Sequence, residues 1–143
     1  MVKKCIVAGG ILIEDDKVLL IKHKKLGKWL YPGGHVEENE TPHEAAEREF
    51  LEETGLRVNV IGDKFETNDP LVSPEPLPIT ISMETVNYPD VTHLHYDMIF
   101  LVKRIGGELS EGKWFSYQEI DQLDTYENVR QILKMAFDRK KGI

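Results

Sequence analysis

Almost nothing in this chain could hold it together from outside its own core. Only one of its 143 residues is cysteine, Cys5, which rules out an internal disulfide. A single thiol at the start of an apolar run reads as a small core residue. Long hydrophobic runs are missing as well. Stretches such as Ile11-Leu12-Ile13 break off far short of the ~20 apolar residues that a membrane-spanning helix needs. No segment has the build of a signal peptide, so the expected location is the cytoplasm, away from membranes. Positive charge is also scarce, with 18 Lys and Arg against 25 Asp and Glu and a formal charge of −7. An acidic chain repels polyanions, which argues against general nucleic-acid binding. A small anionic ligand would need local cations, either side chains or bound metal, to offset that field.

Internal repeats and low-complexity tracts are absent too; what remains is a succession of short elements. Cys5 to Ile13 is apolar and β-branched, Asp15-Asp16 makes a turn, and Lys17 to Lys22 resumes with Val-Leu-Leu-Ile, which predicts a hairpin. Pro32-Gly33-Gly34 suits a tight turn and close backbone approach. A helix is expected from Pro42 to Thr54. Thr41 is its N-cap, Pro42 takes the first helical position, Glu44 completes a capping box, and Gly55 ends it in the left-handed conformation. Leu56 to Phe65 reads as a strand, and Asn68 to Pro78, with four prolines, as an irregular excursion. Ile79 to Val86 and Leu94 to Val102 read as strands joined through Tyr88-Pro89-Asp90, with a last short one at Lys113 to Phe115. Ser116 and Glu119 cap a short helix. Asp124 or Thr125 opens a long one, with Val129, Ile132, Leu133, Ala136 and Phe137 on its apolar face. This is the pattern of an α/β or α+β sheet with helices packed on it, in one domain spanning residues 1–143.

The helix at Pro42 carries the chemistry. Glu49, Glu52 and Glu53 stand at i, i+3 and i+4 and share one face. Their mutual repulsion costs roughly 0.2–0.5 kcal/mol per pair. They also crowd the C-terminal half of the helix, where the macrodipole disfavours carboxylates. A solvated acidic face is the ordinary alternative. Ala45 and Ala46, one turn earlier, weigh against it: small residues there suit a face that packs on a sheet while holding an ion.

Gly34, Glu40, Arg48-Glu49, Glu52-Glu53, Gly55 and Leu56 reproduce the spacing of the Nudix box, and the chain resembles the Nudix (MutT-like) hydrolase family. Phe50 departs from the usual aliphatic residue but stays apolar. Trp29-Leu30-Tyr31-Pro32-Gly33 and Trp114-Phe115-Ser116 are similar to the family as well. The resemblance implies the Nudix fold, a mixed β-sheet sandwiched between α-helices, with the box as a loop–helix–loop. It also implies that Glu49, Glu52, Glu53 and the carbonyl of Gly34 hold a divalent metal, magnesium with manganese as the alternative. Arg48 would orient the carboxylates and Glu40 would be a structural partner in the loop. Magnesium suits such a set, because it is a hard ion that takes oxygen ligands and is shared with substrate phosphates.

The implied activity is hydrolysis of a diphosphate linkage in a nucleoside triphosphate, a dinucleoside polyphosphate or an ADP-sugar. The catalytic set is Arg48, Glu49, Glu52 and Glu53. Glu49 or Glu53 is the candidate general base, with Glu49 slightly ahead, and Glu108 or Glu111 could add a carboxylate from a later loop. The alternative is a non-catalytic nucleotide sensor on the same fold, which would be expected to lose a box acid. An isoprenoid diphosphate isomerase would need a cysteine in the pocket, and Cys5 reads as too deep in a strand. Dimers are common on this fold, so a homodimer is allowed, although no surface identifies itself as an interface.

Other residues are open to two readings. Lys22, His23, Lys24, Lys25 and Lys28 form the one basic cluster, either a solvated turn or a phosphate contact; strand alternation would send Lys22 and Lys24 one way and His23 and Lys25 the other. Trp29 and Tyr31 could stack on a base, though Trp29 suits core packing better. His35 could meet phosphate or be merely exposed. His93, His95 and Asp97 share one side of a strand. Two histidines so placed can chelate zinc, but without a further Cys/His set at ligand spacing they read as edge or pocket polar residues. The proline-rich loop is expected to border the pocket.

Overall fold

The computed structural model describes residues 1–142. Asp15 and Asp16 both adopt left-handed backbone, with φ of 50° and 61°. Such a two-residue reversal matches the twist of the flanking strands, and it folds β1 (Val2–Glu14) back on β2 (Lys17–Lys22). Two short strands follow, β3 (Trp29–Leu30) on β2 and β4 (Gly33–His35) on β1. Helix α1 (Pro42–Thr54) then leads into β5 (Leu56–Ile61), β6 (Thr80–Asn87), β7 (Thr92–Gly107) and β8 (Lys113–Ser116). Two helices end the described chain, α2 (Tyr117–Ile120) and α3 (Glu127–Lys141).

The sheet is mixed. β1 runs parallel to β7 from Val2↔Thr92 to Leu12↔Val102, whereas β5 and β6 pair with β7 antiparallel. Alternation along the central strands separates two cores. On one face Ala8, Leu12, Phe100 and Val102 meet Ala45, Ala46 and Phe50 of α1. On the other, Ile11, Ile13, Ile99 and Leu101 meet Ile120 of α2 and Val129, Ile132, Leu133, Ala136 and Phe137 of α3. The expected layering and the expected apolar face of α3 are both present. Phe50, the one unusual residue of the box, has its space made by Gly10: a Cβ there would come within 3.2 Å of the Phe50 ring.

Helix α1 starts and stops as its sequence predicts. Thr41 and Glu44 form the capping box, Pro42 is at the first turn, and Gly55 closes the helix at φ 84°. Other boundaries moved. β5 ends at Ile61 and not at Phe65, because the chain turns to meet the returning loop, where Leu77 N–H donates to the Asp63 carbonyl at 2.9 Å. β7 runs to Gly107, well past Val102, since β5 supplies partners along that stretch. Tyr126, and not Asp124 or Thr125, is the N-cap of α3. Those two residues are committed elsewhere. Asp124 accepts from Lys28 Nζ at 2.7 Å, and Thr125 Oγ1 donates to the Trp29 carbonyl at 2.6 Å.

Candidate active site

Arg48 is the hub of the glutamate helix. Its Nε donates to Glu40 Oε2 at 3.0 Å and its Nη2 to Glu40 Oε1 at 2.7 Å, a two-point fork that a lysine could not make. Nη1 reaches Glu49 Oε1 at 3.1 Å and Glu52 Oε2 at 3.2 Å, and Nη2 also donates to the His35 carbonyl at 3.1 Å. Glu40, in turn, accepts from Glu37 N–H at 2.9 Å, which pins the loop before the helix. Arg48 holds the Glu40 carboxyl below the usual carboxylate range, and the same hydrogen bond raises the arginine further. Arg48 thus joins Glu49 and Glu52 of the helix to Glu40 in the loop before it.

The two glycines before the helix have different tasks. Gly34 lies against Glu49 so closely that a Cβ would fall 2.5 Å from Glu49 Oε1. Gly33 donates its N–H to Glu53 Oε2 at 2.8 Å. Glu53 is half-buried, Glu49 partly so, and Glu52 exposed. Burial pushes the Glu53 carboxyl up to about 7; the Gly33 N–H pulls it down, and the nearby charges of Glu49 and Glu52 push it further up. The three carboxylates are not gathered on one point: Glu49 and Glu52 rest on Arg48, and Glu53 on Gly33. Three hard oxygen donors on one turn, with a single arginine to neutralise them, fit a divalent cation of the magnesium class.

Opposite Glu52 and Glu53 lies the basic turn. Lys22, His23, Lys24 and Lys25 line a cleft of about 480 Å³ with those two glutamates, Ser110 and Glu111. Strand alternation does not sort these side chains as expected, because β2 ends at Lys22 and the chain turns, with Leu26 N–H donating to His23 Nδ1 at 3.2 Å. Lys28 is drawn off to Asp124. Of the two loop acids, Glu111 lines the cleft, while Glu108 uses its main chain against Gly55, its N–H donating to the Gly55 carbonyl at 3.1 Å. Ser110, which the sequence did not single out, pins this loop to the helix end: its N–H donates to the Thr54 carbonyl at 2.7 Å and its hydroxyl to the same oxygen at 3.1 Å.

The remaining candidates lie elsewhere. Trp29 packs edge-to-face on Phe115 at 5.0 Å. Tyr31 covers Gly9 and sets its hydroxyl beside Asp97. His35 is exposed, with its ring 5.4 Å from that of His95. The proline-rich loop does not line the cleft. It bounds a separate hollow with Phe65, Thr67 and Pro74, and reaches α1 at its other end, where Glu75 meets His43 Nδ1 at 3.0 Å. Its prolines and its pairing at Asp63 direct it away from the glutamates.

A family model for the NUDIX domain matches residues 3–136. The chain belongs to the Nudix hydrolase family. It is 33% identical over 141 residues to an "ADP-ribose pyrophosphatase" of Methanocaldococcus jannaschii, a match covering 96% of this chain and 70% of that one. A "MutT-like protein" of Streptomyces ambofaciens is 46% identical over 54 residues, which is 38% of this chain and only 35% of the relative's length. A crystal structure of a NUDIX-family hydrolase from Clostridium perfringens superposes with a TM-score of 0.76 at 29% identity, covering 94% of this chain and 96% of that one. Within the described residues, no helix of this Nudix protein is long and apolar enough to cross a membrane.

Proposed function

We propose that this Nudix protein is a metal-dependent pyrophosphohydrolase acting on a small nucleotide-like substrate, a nucleoside triphosphate, a dinucleoside polyphosphate or an ADP-sugar. The observation that carries this reading is the contact of Glu49 with Gly34 and of Glu53 with Gly33 N–H beside the Arg48 clamp. Glu53 is held from the backbone side by Gly33 N–H and lines the cleft with Glu52, while Glu49 lies behind them against Gly34 and Arg48. The cleft volume lies within the range of roughly 300–1,000 Å³ usual for small-molecule sites. Its two walls are of opposite charge, which suits a phosphate chain on the lysine side and a cation on the glutamate side.

In this reading Glu49, Glu52, Glu53 and the Gly34 carbonyl would hold magnesium, with manganese as the alternative. When bound, the ion shields the phosphate charge and acidifies an attacking water. The protein's own part is positional. Arg48 holds Glu49 and Glu52 side by side through Nη1, and Glu40 fixes Arg48 through its two-point fork. Lys22, Lys24 and Lys25 offer ammonium groups to phosphate oxygens. A carboxylate must take the proton from water, and Glu49 or Glu53 is within the cluster to do so; Glu111 is the nearby acid on the facing loop. Residence in the cytoplasm belongs to the same proposal, which is compatible with either a monomer or a homodimer.

Incubating the purified protein with magnesium and a panel of nucleoside triphosphates, dinucleoside polyphosphates and ADP-sugars, with products identified by mass spectrometry, tests this directly. Glu53→Gln is the control, since its amide oxygen can still accept from Gly33 N–H. We expect that variant to melt like the parent and to lose magnesium-dependent turnover. Full activity in Glu53→Gln would end the proposed mechanism.

A further inference from the structure

Three side chains far apart in the sequence converge on the face of the sheet away from α1. Cys5 on β1, His35 on β4 and His95 on β7 each offer a ligand atom, and these atoms all lie within 4.8 Å of one another. Strand register creates the meeting. Cys5 is the direct partner of His95 in the parallel ladder, and His35 is paired with Val7, two residues beyond Cys5 on the same side of β1. The alternation that turns Gly34 toward Glu49 turns His35 the other way. The site is therefore separate from the glutamate cluster, although His35 is next in sequence to Gly34.

A second observation points to a ligand. His95 Nε2 is buried and has no hydrogen-bond partner, whereas buried polar atoms are almost always paired. The rings of His35 and His95 stand edge-to-face at 5.4 Å, an arrangement that leaves ring nitrogens free of each other. Cys5 is only half-buried and is not the closed core residue its apolar run suggests. On β6, Glu84 is the register partner of His95, which adds negative charge beside the site. His93, the next histidine on that side, packs its ring against His95 and Tyr88.

We propose that Cys5, His35 and His95 form a second metal site, selective for a borderline-soft divalent ion of the zinc class, with its fourth position open to water or an external ligand. A thiolate and two imidazoles are the wrong donors for magnesium and the right ones for zinc. Bond lengths of about 2.3 Å to sulfur and 2.0 Å to nitrogen place one sulfur and two nitrogens in tetrahedral positions roughly 3.3–3.5 Å apart. Closing the site from 4.8 Å takes a shift of about 1.5 Å, which the exposed His35 can supply by changing rotamer. Binding releases the thiol proton and ties β1, β4 and β7 together at one point. Because β4 also carries Gly33 and Gly34, the ion braces the strand on which Glu49 and Glu53 rest. The inference does not depend on the function proposed for that cluster.

The test uses reduced, metal-stripped full-length protein titrated with cobalt(II), then with zinc. One equivalent of cobalt should produce a thiolate-to-cobalt charge-transfer band together with visible bands of tetrahedral type, and zinc should abolish both. Zinc should also slow the reaction of Cys5 with a thiol reagent by about tenfold or more, because the bound thiolate is no longer a free nucleophile. Cys5→Ser should lose the bands with unchanged circular dichroism, Glu52→Gln should keep them, and a large excess of magnesium should not compete. If Cys5→Ser fails to fold, zinc protection of the wild-type thiol decides the matter. Absence of the charge-transfer band, a thiol equally reactive with and without zinc, or undiminished protection in His95→Gln would each overturn the site.

Discussion

Alanine at Gly34 should disable the enzyme while sparing the fold, whereas alanine at Gly33 should destabilise the fold itself. At Gly34 an added Cβ would lie 2.5 Å from Glu49 Oε1 and 2.6 Å from its Cδ. Ordinary contact begins at 3.4 Å, so the carboxylate must retreat by about 0.9 Å. The obstacle is the end of a flexible side chain and can yield. Alanine within a strand is also favoured over glycine by roughly 0.5–1 kcal/mol, which offsets the small repacking cost. A displacement near 1 Å at a reacting centre is worth up to about 10²-fold in rate, or roughly 2.7 kcal/mol of activation free energy. At Gly33 the Cβ would meet the Ala8 carbonyl oxygen at 2.6 Å and Gly9 Cα at 2.8 Å. Both belong to the β1 backbone, which has no rotamer to change, and such overpacking costs about 1–3 kcal/mol. Thermal melts followed by circular dichroism, with steady-state kinetics and magnesium titrations, separate the two. The expected pattern is Gly34→Ala melting with the wild type at a kcat/KM lower by about 10–100-fold, and Gly33→Ala melting several degrees lower, by roughly 2–4 °C per kcal/mol for a domain near 150 residues. Wild-type turnover and magnesium dependence in Gly34→Ala would refute the reasoning. So would activity lost only in step with stability.

Two further outcomes follow from the same geometry. Arg48→Lys keeps the charge but cannot form the fork to Glu40 while also reaching Glu49 and Glu52, so we expect weaker magnesium dependence of activity and a stability loss of about 1–2 kcal/mol; a lysine variant matching the parent in both measurements would show that the clamp is dispensable. Asp97 is held up to about 7, chiefly by burial and then by its hydrogen bond with Glu84, against 3.8 for a free aspartate. Between those two values the unfolded chain binds fewer protons than the native one, so stability falls as pH rises from about 4 to about 7. Asp97→Asn removes that dependence. Its advantage over the parent should be negligible near pH 4 and grow to about 1–3 kcal/mol at pH 8 in urea unfolding; parallel stability profiles for the two proteins would contradict this.

The elements best anticipated from the sequence are those whose determinants are local. The limits of α1 are set by Thr41, Pro42, Glu44 and Gly55, all within the helix or one residue of it. The Asp15-Asp16 reversal and the Ser116–Glu119 capping box are of the same kind. The glutamates at i, i+3 and i+4 needed nothing beyond the helical repeat to be placed together. Boundaries were misjudged where distant partners set them. β7 is long because β5 extends its ladder to Gly107. Asp124 and Thr125 gave up capping to Lys28 and Trp29, residues almost a hundred positions earlier. Nothing in the local pattern of residues 22–25 announces that they face Glu52 and Glu53 across a cleft.

The linear order of residues was sufficient for the family, the layered sheet and the carboxylate set, because hydrophobic period, caps and i, i+3, i+4 spacing are short-range properties. The three-dimensional fold was needed to reveal that Gly34 lacks a side chain in order to admit Glu49, that Gly10 makes room for Phe50, and that the proline loop turns away from the cleft. It also brought Cys5, His35 and His95 together from three strands, with no motif to mark them. Register between strands depends on the whole sheet closing with both faces buried, and a chain read one window at a time carries no record of which residues that closure will set side by side.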